Sequence, residues 1–299
     1  MKIAVTGAGG FIGTEVLASL SGVRDVETIA LSRRADGVDN DLPRCELRTT
    51  DWSYESLAES LRGADCVIHL AGTRGTAPDP ELYSINERMT RTLLDAMKAA
   101  GTGRIVFASS VSVYDDESLI PWTEDSPLHG RTAYGDSKIR CEELIRGCSG
   151  RYGYSYAIAR IAQVLGSGER RPGMMNAFID AAMEKGTLHV MGESRAKRQY
   201  IYVRDLANIL VYLSTGRNKV KNDSSITVNA GMRRAYTNIE IARMVNSAFG
   251  NDTPIDYDDS YPETIRGFHM DISRLRDVLD YEPVDMEEAL RDLRKGIKA

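Results

Sequence analysis

Long basic runs, metal-type cysteine spacings and membrane-length apolar stretches are all missing from this 299-residue chain. Each absence removes a class of function. Acidic residues outnumber basic ones, 43 to 38, for a formal net charge of −5. Without a long basic block, that balance argues against a nucleic-acid surface. The cluster Arg195, Lys197 and Arg198 is too short to reverse this, although it suits a phosphate. The four cysteines, Cys45, Cys66, Cys141 and Cys148, fall in no CxxC or metal-ligand spacing. No metal site is expected, and the thiols read as reduced and structural. No apolar stretch approaches the ~20 residues that span a bilayer. A strand pattern starts at residue 2 with no charged and apolar leader before it, so the cytoplasm is the expected compartment. Neither an internal repeat nor a low-complexity linker is visible.

What is present is an ordinary globular composition, 42% hydrophobic and 27% charged, in a length suited to one large or two modest domains. Its organising stretch comes first. Residues 2–6 form an apolar run of strand type, followed by Gly7, Gly9, Gly10 and Gly13. Ile12, Val16, Leu17 and Leu20 then recur at helical spacing. In a strand–turn–helix, Gly7 permits the tight turn and Gly10 lets a pyrophosphate approach the backbone. Gly13 lets helix and strand pack closely. The N–H groups and positive dipole end of that helix would hold the phosphates of a dinucleotide. No Gly-Lys-Ser/Thr follows, so a P-loop is excluded.

Further strands are predicted over 26–31, 46–48, 65–70, 103–108 and 155–161, alternating with helices over 54–61, 82–99 and 132–146. That alternation predicts an α/β fold with a doubly wound parallel sheet and right-handed crossovers. After residue 161 the pattern changes. Residues 165–172 are a glycine- and charge-rich connection. Helices are expected over 176–184, 237–248, 273–279 and 285–294, a strand over 199–203 leads into a helix from 205, and another strand spans 226–229. The expected division is a dinucleotide-binding domain of residues 1–164, to which 199–232 return. A smaller α+β substrate-binding lobe of 165–198 and 233–299 completes it.

Tyr134 and Lys138 lie four residues apart at the start of a predicted helix, so their side chains face the same way. A tyrosine with a pKa near ~10 is a poor base at neutral pH. An adjacent ammonium and an oxidised nicotinamide ring both favour the phenolate, which would make Tyr134 a general acid/base. The alternative is an ordinary aromatic–lysine pair on a helix surface.

Together with other motifs, the chain resembles the extended short-chain dehydrogenase/reductase family of NAD(P)-dependent nucleotide-sugar epimerases, dehydratases and ketoreductases. The resemblance covers essentially the whole chain. It rests on Thr6-Gly-Ala-Gly-Gly-Phe-Ile-Gly13, His69-Leu-Ala-Gly72, Asn86, Ser109-Ser-Val-Ser-Val-Tyr114, Tyr134-Gly-Asp-Ser-Lys138 and Arg198-Gln-Tyr-Ile-Tyr-Val-Arg-Asp205. It implies a Rossmann-type sheet and a catalytic set of Ser110, Tyr134, Lys138 and Asn86. In that set Ser110 binds the substrate's reacting oxygen and Lys138 also contacts the nicotinamide ribose. Ser110 has a cap serine, and Asn86 a polar surface or kink residue, as the alternative. The resemblance places Phe11, Ile12, Trp52, Leu70, Ala71, Gly72 and Ile161 beside the cofactor. Asp51 would contact adenine or cap the next helix. Thr73, Arg74, Ser112, Gln163 and Asn176 would face substrate, with Arg198 pairing with its diphosphate. Arg266 would be a second phosphate contact or a surface arginine. Gln163 stands where the family often has asparagine, and Ser167 replaces the usual proline after Gly166.

An NAD enzyme wants an acid roughly 20 residues beyond the glycines. Here the second strand ends Ser32-Arg33-Arg34, with no carboxylate before Asp36. NADP(H) is therefore expected over NAD(H), a solvated basic turn being the alternative. The family's dehydratases carry Asp-Glu directly after the catalytic Ser/Thr, where this chain has Val111 and Ser112. Its C3/C5-epimerising reductases carry a cysteine at position 112 and a later loop histidine, and no histidine lies between His129 and His189. The resemblance thus implies reduction of the 4-keto group of a nucleotide-linked 4-keto-6-deoxyhexose, as in deoxysugar biosynthesis. A 4-epimerase with tightly held NAD is the alternative. A non-catalytic dinucleotide sensor is a third reading, favoured by loss of Ser110, Tyr134 or Lys138, all of which are present. Relatives pair through the helices over 82–99 and 132–146, so a homodimer is expected. Leu93, Leu94 and Met97 are then either contacts of that pairing or core residues.

Overall fold

In the computed structural model, residues 1–34, 37–39, 41–75, 77–169, 173–216, 224–260 and 266–297 are described. The first half runs β1 (Lys2–Thr6), α1 (Phe11–Ser21), β2 (Glu27–Ser32), β3 (Cys45–Thr49), α2 (Tyr54–Ser60), β4 (Cys66–His69), α3 (Pro80–Ala100), β5 (Arg104–Ala108), α4 (Ala133–Tyr152) and β6 (Ser155–Ile161). The second runs β7 (Gln163–Leu165), α5 (Met174–Met183), β8 (His189–Met191), β9 (Arg198–Tyr202), α6 (Val203–Thr215), β10 (Ile226–Ala230), β11 (Ala235–Tyr236), α7 (Asn238–Phe249), β12 (Asp256–Asp258), α8 (Ser273–Leu279) and α9 (Met286–Ile297).

β1, β4, β5 and β6 are largely apolar and almost wholly buried, as a sheet covered by helices on either side requires. The expected doubly wound sheet is the one that forms. Its strands lie in the order β10-β6-β5-β4-β1-β2-β3, every pair parallel. The order reverses between β1 and β4, and the carboxyl ends of strands beside such a switch form a natural ligand crevice.

The second half builds a smaller unit from the sheets β11-β9-β7 and β12-β8. Its separate core includes Phe178, Leu188, Tyr200, Ile241, Val245 and Leu290. The short strands β7, β8, β11 and β12 go beyond the sequence-based expectation. Two or three residues carry no periodicity, and long-range pairing alone makes them strands. Part of the 165–172 connection, residues 170–172, lies outside the described residues.

Helix α4 outlasts its expected end at 146, closing at Gly153 in the left-handed region. Packing overrides the weak propensity of Gly147 and Gly150: Lys98 lies over the Tyr152 ring, and Tyr154 beyond it is buried. In α3, Leu93, Leu94 and Met97 are core residues rather than an outer face. All are buried against Ile105, Phe107 and Cys141. The exposed large apolar residues of α3 are Leu82 and Ile85.

Candidate active site

The glycine turn has the geometry its spacing predicts. Gly7 has φ +70°, and a Cβ there would lie 2.9 Å from the Ala71 nitrogen. A Cβ on Gly13 would fall 2.2 Å from the Gly7 carbonyl oxygen, so α1 can lie against the turn only because residue 13 has no side chain. Gly9 faces the Gly37 carbonyl, and Gly10 opens α1 without any side-chain cap. Leading N–H groups without a side-chain acceptor suit a phosphate, so the turn fits a dinucleotide. Phe11 packs toward the second core and Ile12 toward the cleft.

Beneath this turn, a buried hydrogen-bond chain fixes the loop after β4. Thr6 Oγ1 accepts from the N–H groups of Leu70 and Ala71 at 3.1 and 3.2 Å. Its own proton is then directed to His69 Nδ1, 2.8 Å away. That leaves His69 Nε2–H facing Thr90 Oγ1 at 3.3 Å, and Thr90 donates in turn to Cys141 Sγ. Burial, reinforced by the charge of Lys138, pushes the His69 pKa down to about 3, so the imidazole stays neutral.

Ser110, Ser112, Tyr134 and Lys138 line one cleft of about 490 Å³ at the carboxyl ends of the central strands. Thr132 caps α4 by accepting from the Gly135 N–H, which places Tyr134 in the first turn. Lys138 Nζ donates to the Ala108 carbonyl at 2.7 Å and lies 5.7 Å from the Tyr134 ring centroid. Ser110 follows β5 and caps a short 3₁₀ turn, its Oγ accepting from the Ser112 N–H at 3.1 Å. The cap alternative for Ser110 is thus realised, and the same residue still faces the cleft.

Ile12, Leu70, Gly72, Thr73, Arg74, Ile161, Gln163 and Asn176 line the same cleft. Arg74 Nη2 reaches both carboxylate oxygens of Glu169, at 2.7 and 2.8 Å. Asn86 stands behind the wall: Oδ1 accepts from Thr73 N at 2.7 Å, while Nδ2 donates to the Thr73 carbonyl and to Ser137 Oγ. It joins the cleft loop to α4.

Two arginines are not brought to the cleft. Arg198 Nη2 bonds Asn238 Oδ1 and Met174 Sδ, and Arg266 pairs with Asp115 and Glu117. A recess of about 430 Å³ adjoins instead, lined by Arg195, Lys197, Arg233 and Arg234 among others. Phe268 lines both cavities. Arg233 and Arg234 escape sequence reasoning because they lie far from Arg195 in the chain and are gathered by the β9–β11 pairing.

Just past the carboxyl end of β2, Arg33 and Arg34 are exposed, and among the described residues neither guanidinium has a partner. Ser32 Oγ accepts from the Arg34 N–H at 3.4 Å; Asp36 lies outside the described residues. Asp51 Oδ1 accepts from the N–H and hydroxyl of Ser53, and Ser53 is the cap of α2. Asp51 therefore supports the cap without being it. Trp52 follows with φ 68°, its ring 6.1 Å from His69.

Comparison with known proteins agrees with this architecture. A UDP-N-acetylglucosamine 4-epimerase from Bacillus cereus superposes with a TM-score of 0.88 at 30% identity, over 100% of this chain and 97% of that one. A putative UDP-glucose 4-epimerase of Methanocaldococcus jannaschii is 26% identical over 99% of this chain and 98% of its own. A dTDP-4-dehydro-6-deoxy-D-allose reductase of Streptomyces is 25% identical over 97% of this chain and 94% of its own. Residues 3–231 match the pattern of one family. With its glycine turn, Ser110, Tyr134 and Lys138 in place, the chain belongs to the NAD dependent epimerase/dehydratase family.

Proposed function

We propose that this enzyme is an NADPH-dependent reductase of the 4-keto group of a nucleotide-linked 4-keto-6-deoxyhexose. The observation that carries the cofactor choice is the end of β2, where Ser32, Arg33 and Arg34 offer a hydroxyl and two exposed guanidinium groups. A 2′-phosphate suits that set, whereas a 2′-hydroxyl wants an acid. When bound, the nicotinamide supplies the hydride. The chain's own groups do the rest. Ser110 orients the carbonyl oxygen, Tyr134 donates its phenolic proton to the developing alkoxide, and Lys138 holds the ribose.

The residues after Ser110 support a single-step chemistry. Val111 and Ser112 form a tight turn and offer no acid–base pair for elimination. The recess of Arg195, Lys197, Arg233 and Arg234 suits the nucleoside diphosphate, with Phe268 between it and the sugar. On this reading residues 165–198 and 233–299 form the substrate lobe, extended by β7 and β9, which pair in its sheet, and the remainder of 1–164 and of 199–232 forms the dinucleotide lobe. The enzyme works in the cytoplasm as a homodimer paired through α3 and α4. Light scattering that finds a monomer at micromolar concentration overturns the dimer.

A 4-epimerase is the second reading, favoured by the 30%-identical Bacillus cereus epimerase. Purified enzyme with NADPH and 4-keto-sugar nucleotides separates the two. NADPH consumption supports the reductase. No consumption, together with interconversion of UDP-hexose epimers, supports the epimerase. Mass spectrometry of the co-purifying cofactor gives an independent answer.

A further inference from the structure

Glu142 lies one turn beyond Lys138 on the same face of α4, and Arg160 lies on β6; they are 1% and 2% exposed. Their contact is two-pronged, Nε to Oε1 at 3.0 Å and Nη2 to Oε2 at 2.8 Å. Each partner also reaches onward. Ser109 Oγ donates to Glu142 Oε1 at 2.6 Å, and Arg160 Nη1 donates to the Tyr114 hydroxyl at 2.8 Å. Ser109 and Tyr114 are the two ends of the loop that carries Ser110 and Ser112. One buried ion pair therefore grips that loop at both ends.

A buried pair of this kind is a poor device for stability alone, because well-packed apolar residues of similar volume often serve as well. Its distinctive property is directional, bidentate geometry. The loop is closely fitted on its other side too. A Cβ on Gly135 would lie 2.0 Å from the Ser112 carbonyl oxygen, so the α4 turn bearing Tyr134 packs directly on the loop bearing Ser110.

We propose that the Arg160–Glu142 pair is a staple across the catalytic loop, making both positioning residues that act on Ser110 through Ser109 and Tyr114. The proposal rests on Ser110 and Tyr134 being the reacting pair. Displacement of a reacting group by about 1 Å can cost on the order of 10²-fold in rate.

Ser109→Ala cuts one tie and leaves the ion pair whole, while Tyr114→Phe cuts the other and also removes the hydroxyl's bond to Asn229 Oδ1. Each is expected to lower kcat about 10- to 100-fold with KM and cofactor Kd unchanged, and Ser109→Ala is expected to shift Tm by only a few degrees. Ser109→Thr, which keeps the hydroxyl, is expected to recover most of the rate. Wild-type kcat in both variants, or an equal loss in Ser109→Thr, overturns the staple. Should the wild-type enzyme turn over neither keto-sugars nor UDP-hexoses, the functional reading fails on its own. The staple is then read by hydrogen exchange at the amides of residues 112–114. Faster exchange there in Ser109→Ala, with α4 unchanged, supports it, and unchanged exchange overturns it.

Discussion

Lys138 Nζ donates to the carbonyl of Ala108 at 2.7 Å, so one side chain joins α4 to the last residue of β5. The same ammonium lies 4.5 Å from the Phe107 ring centroid. It is 7% exposed, and a charge so enclosed needs such partners. Lys138 therefore has a structural task besides any role at the ribose.

That difference separates two variants. Tyr134 has no hydrogen-bond partner for its hydroxyl among the described residues, so Tyr134→Phe leaves nothing unpaired. It should lower turnover ~10²–10⁴-fold while Tm and cofactor binding hold. Lys138→Met should lower turnover and also stability, by about 1–3 kcal/mol, because the buried Ala108 carbonyl loses its donor. Assays paired with thermal melts decide. A stable Lys138→Met protein would show that the Ala108 bond contributes little.

The cofactor preference should move with Arg33 and Arg34. Hydrogen bonds to a charged group contribute about 1.5–3 kcal/mol each, or about 10- to 100-fold in affinity. Replacing both arginines by alanine should weaken NADPH binding by at least one such factor and leave NADH nearly unchanged. Titration of both cofactors against both proteins is the check, and parallel weakening would refute 2′-phosphate recognition.

His69 should give the protein a pH-dependent stability. In the unfolded chain its imidazole titrates near ~6.5, whereas burial holds the folded value at about 3. Between those values the unfolded state binds the extra proton. Stability is therefore complete above ~6.5 and falls as the pH drops, by up to ~1.4 kcal/mol per pH unit. Melts of wild type and His69→Gln between about pH 5 and 7 should show a shallower slope in the variant. Identical slopes would rule His69 out as the source.

Two glycine-to-alanine changes should act in opposite directions. At Gly13 the new Cβ meets backbone oxygen at 2.2 Å, so the helix or the turn must move, at a cost of about 1–3 kcal/mol and with loss of cofactor binding. At Gly147, within α4, the Cβ meets nothing within 4 Å, and alanine should stabilise by up to ~1 kcal/mol. Melting temperatures of the two variants on opposite sides of wild type are the expected result.

What could be read from the sequence was whatever is local. The glycine turn, the i, i+4 placement of Tyr134 and Lys138, and the apolar strands of the main sheet all declare themselves within a few residues. β7, β8, β11 and β12 do not, because they exist only through distant partners. The same holds for the Thr6–His69–Thr90 chain and the gathering of Arg233 with Arg195. Glu142 did have a local signal, four residues past Lys138 on one helix face. Its meaning needed Arg160 and Ser109 beside it.

β10 reaches the main sheet only after the chain has passed through β7, α5, β8, β9 and α6. During synthesis β6 must therefore wait for Ile226–Ala230 to emerge before its outer edge is paired. Until then that edge is an open row of backbone donors and acceptors on a buried, largely apolar strand. A nascent or truncated chain lacking β10 is thus exposed to edge-to-edge aggregation through β6.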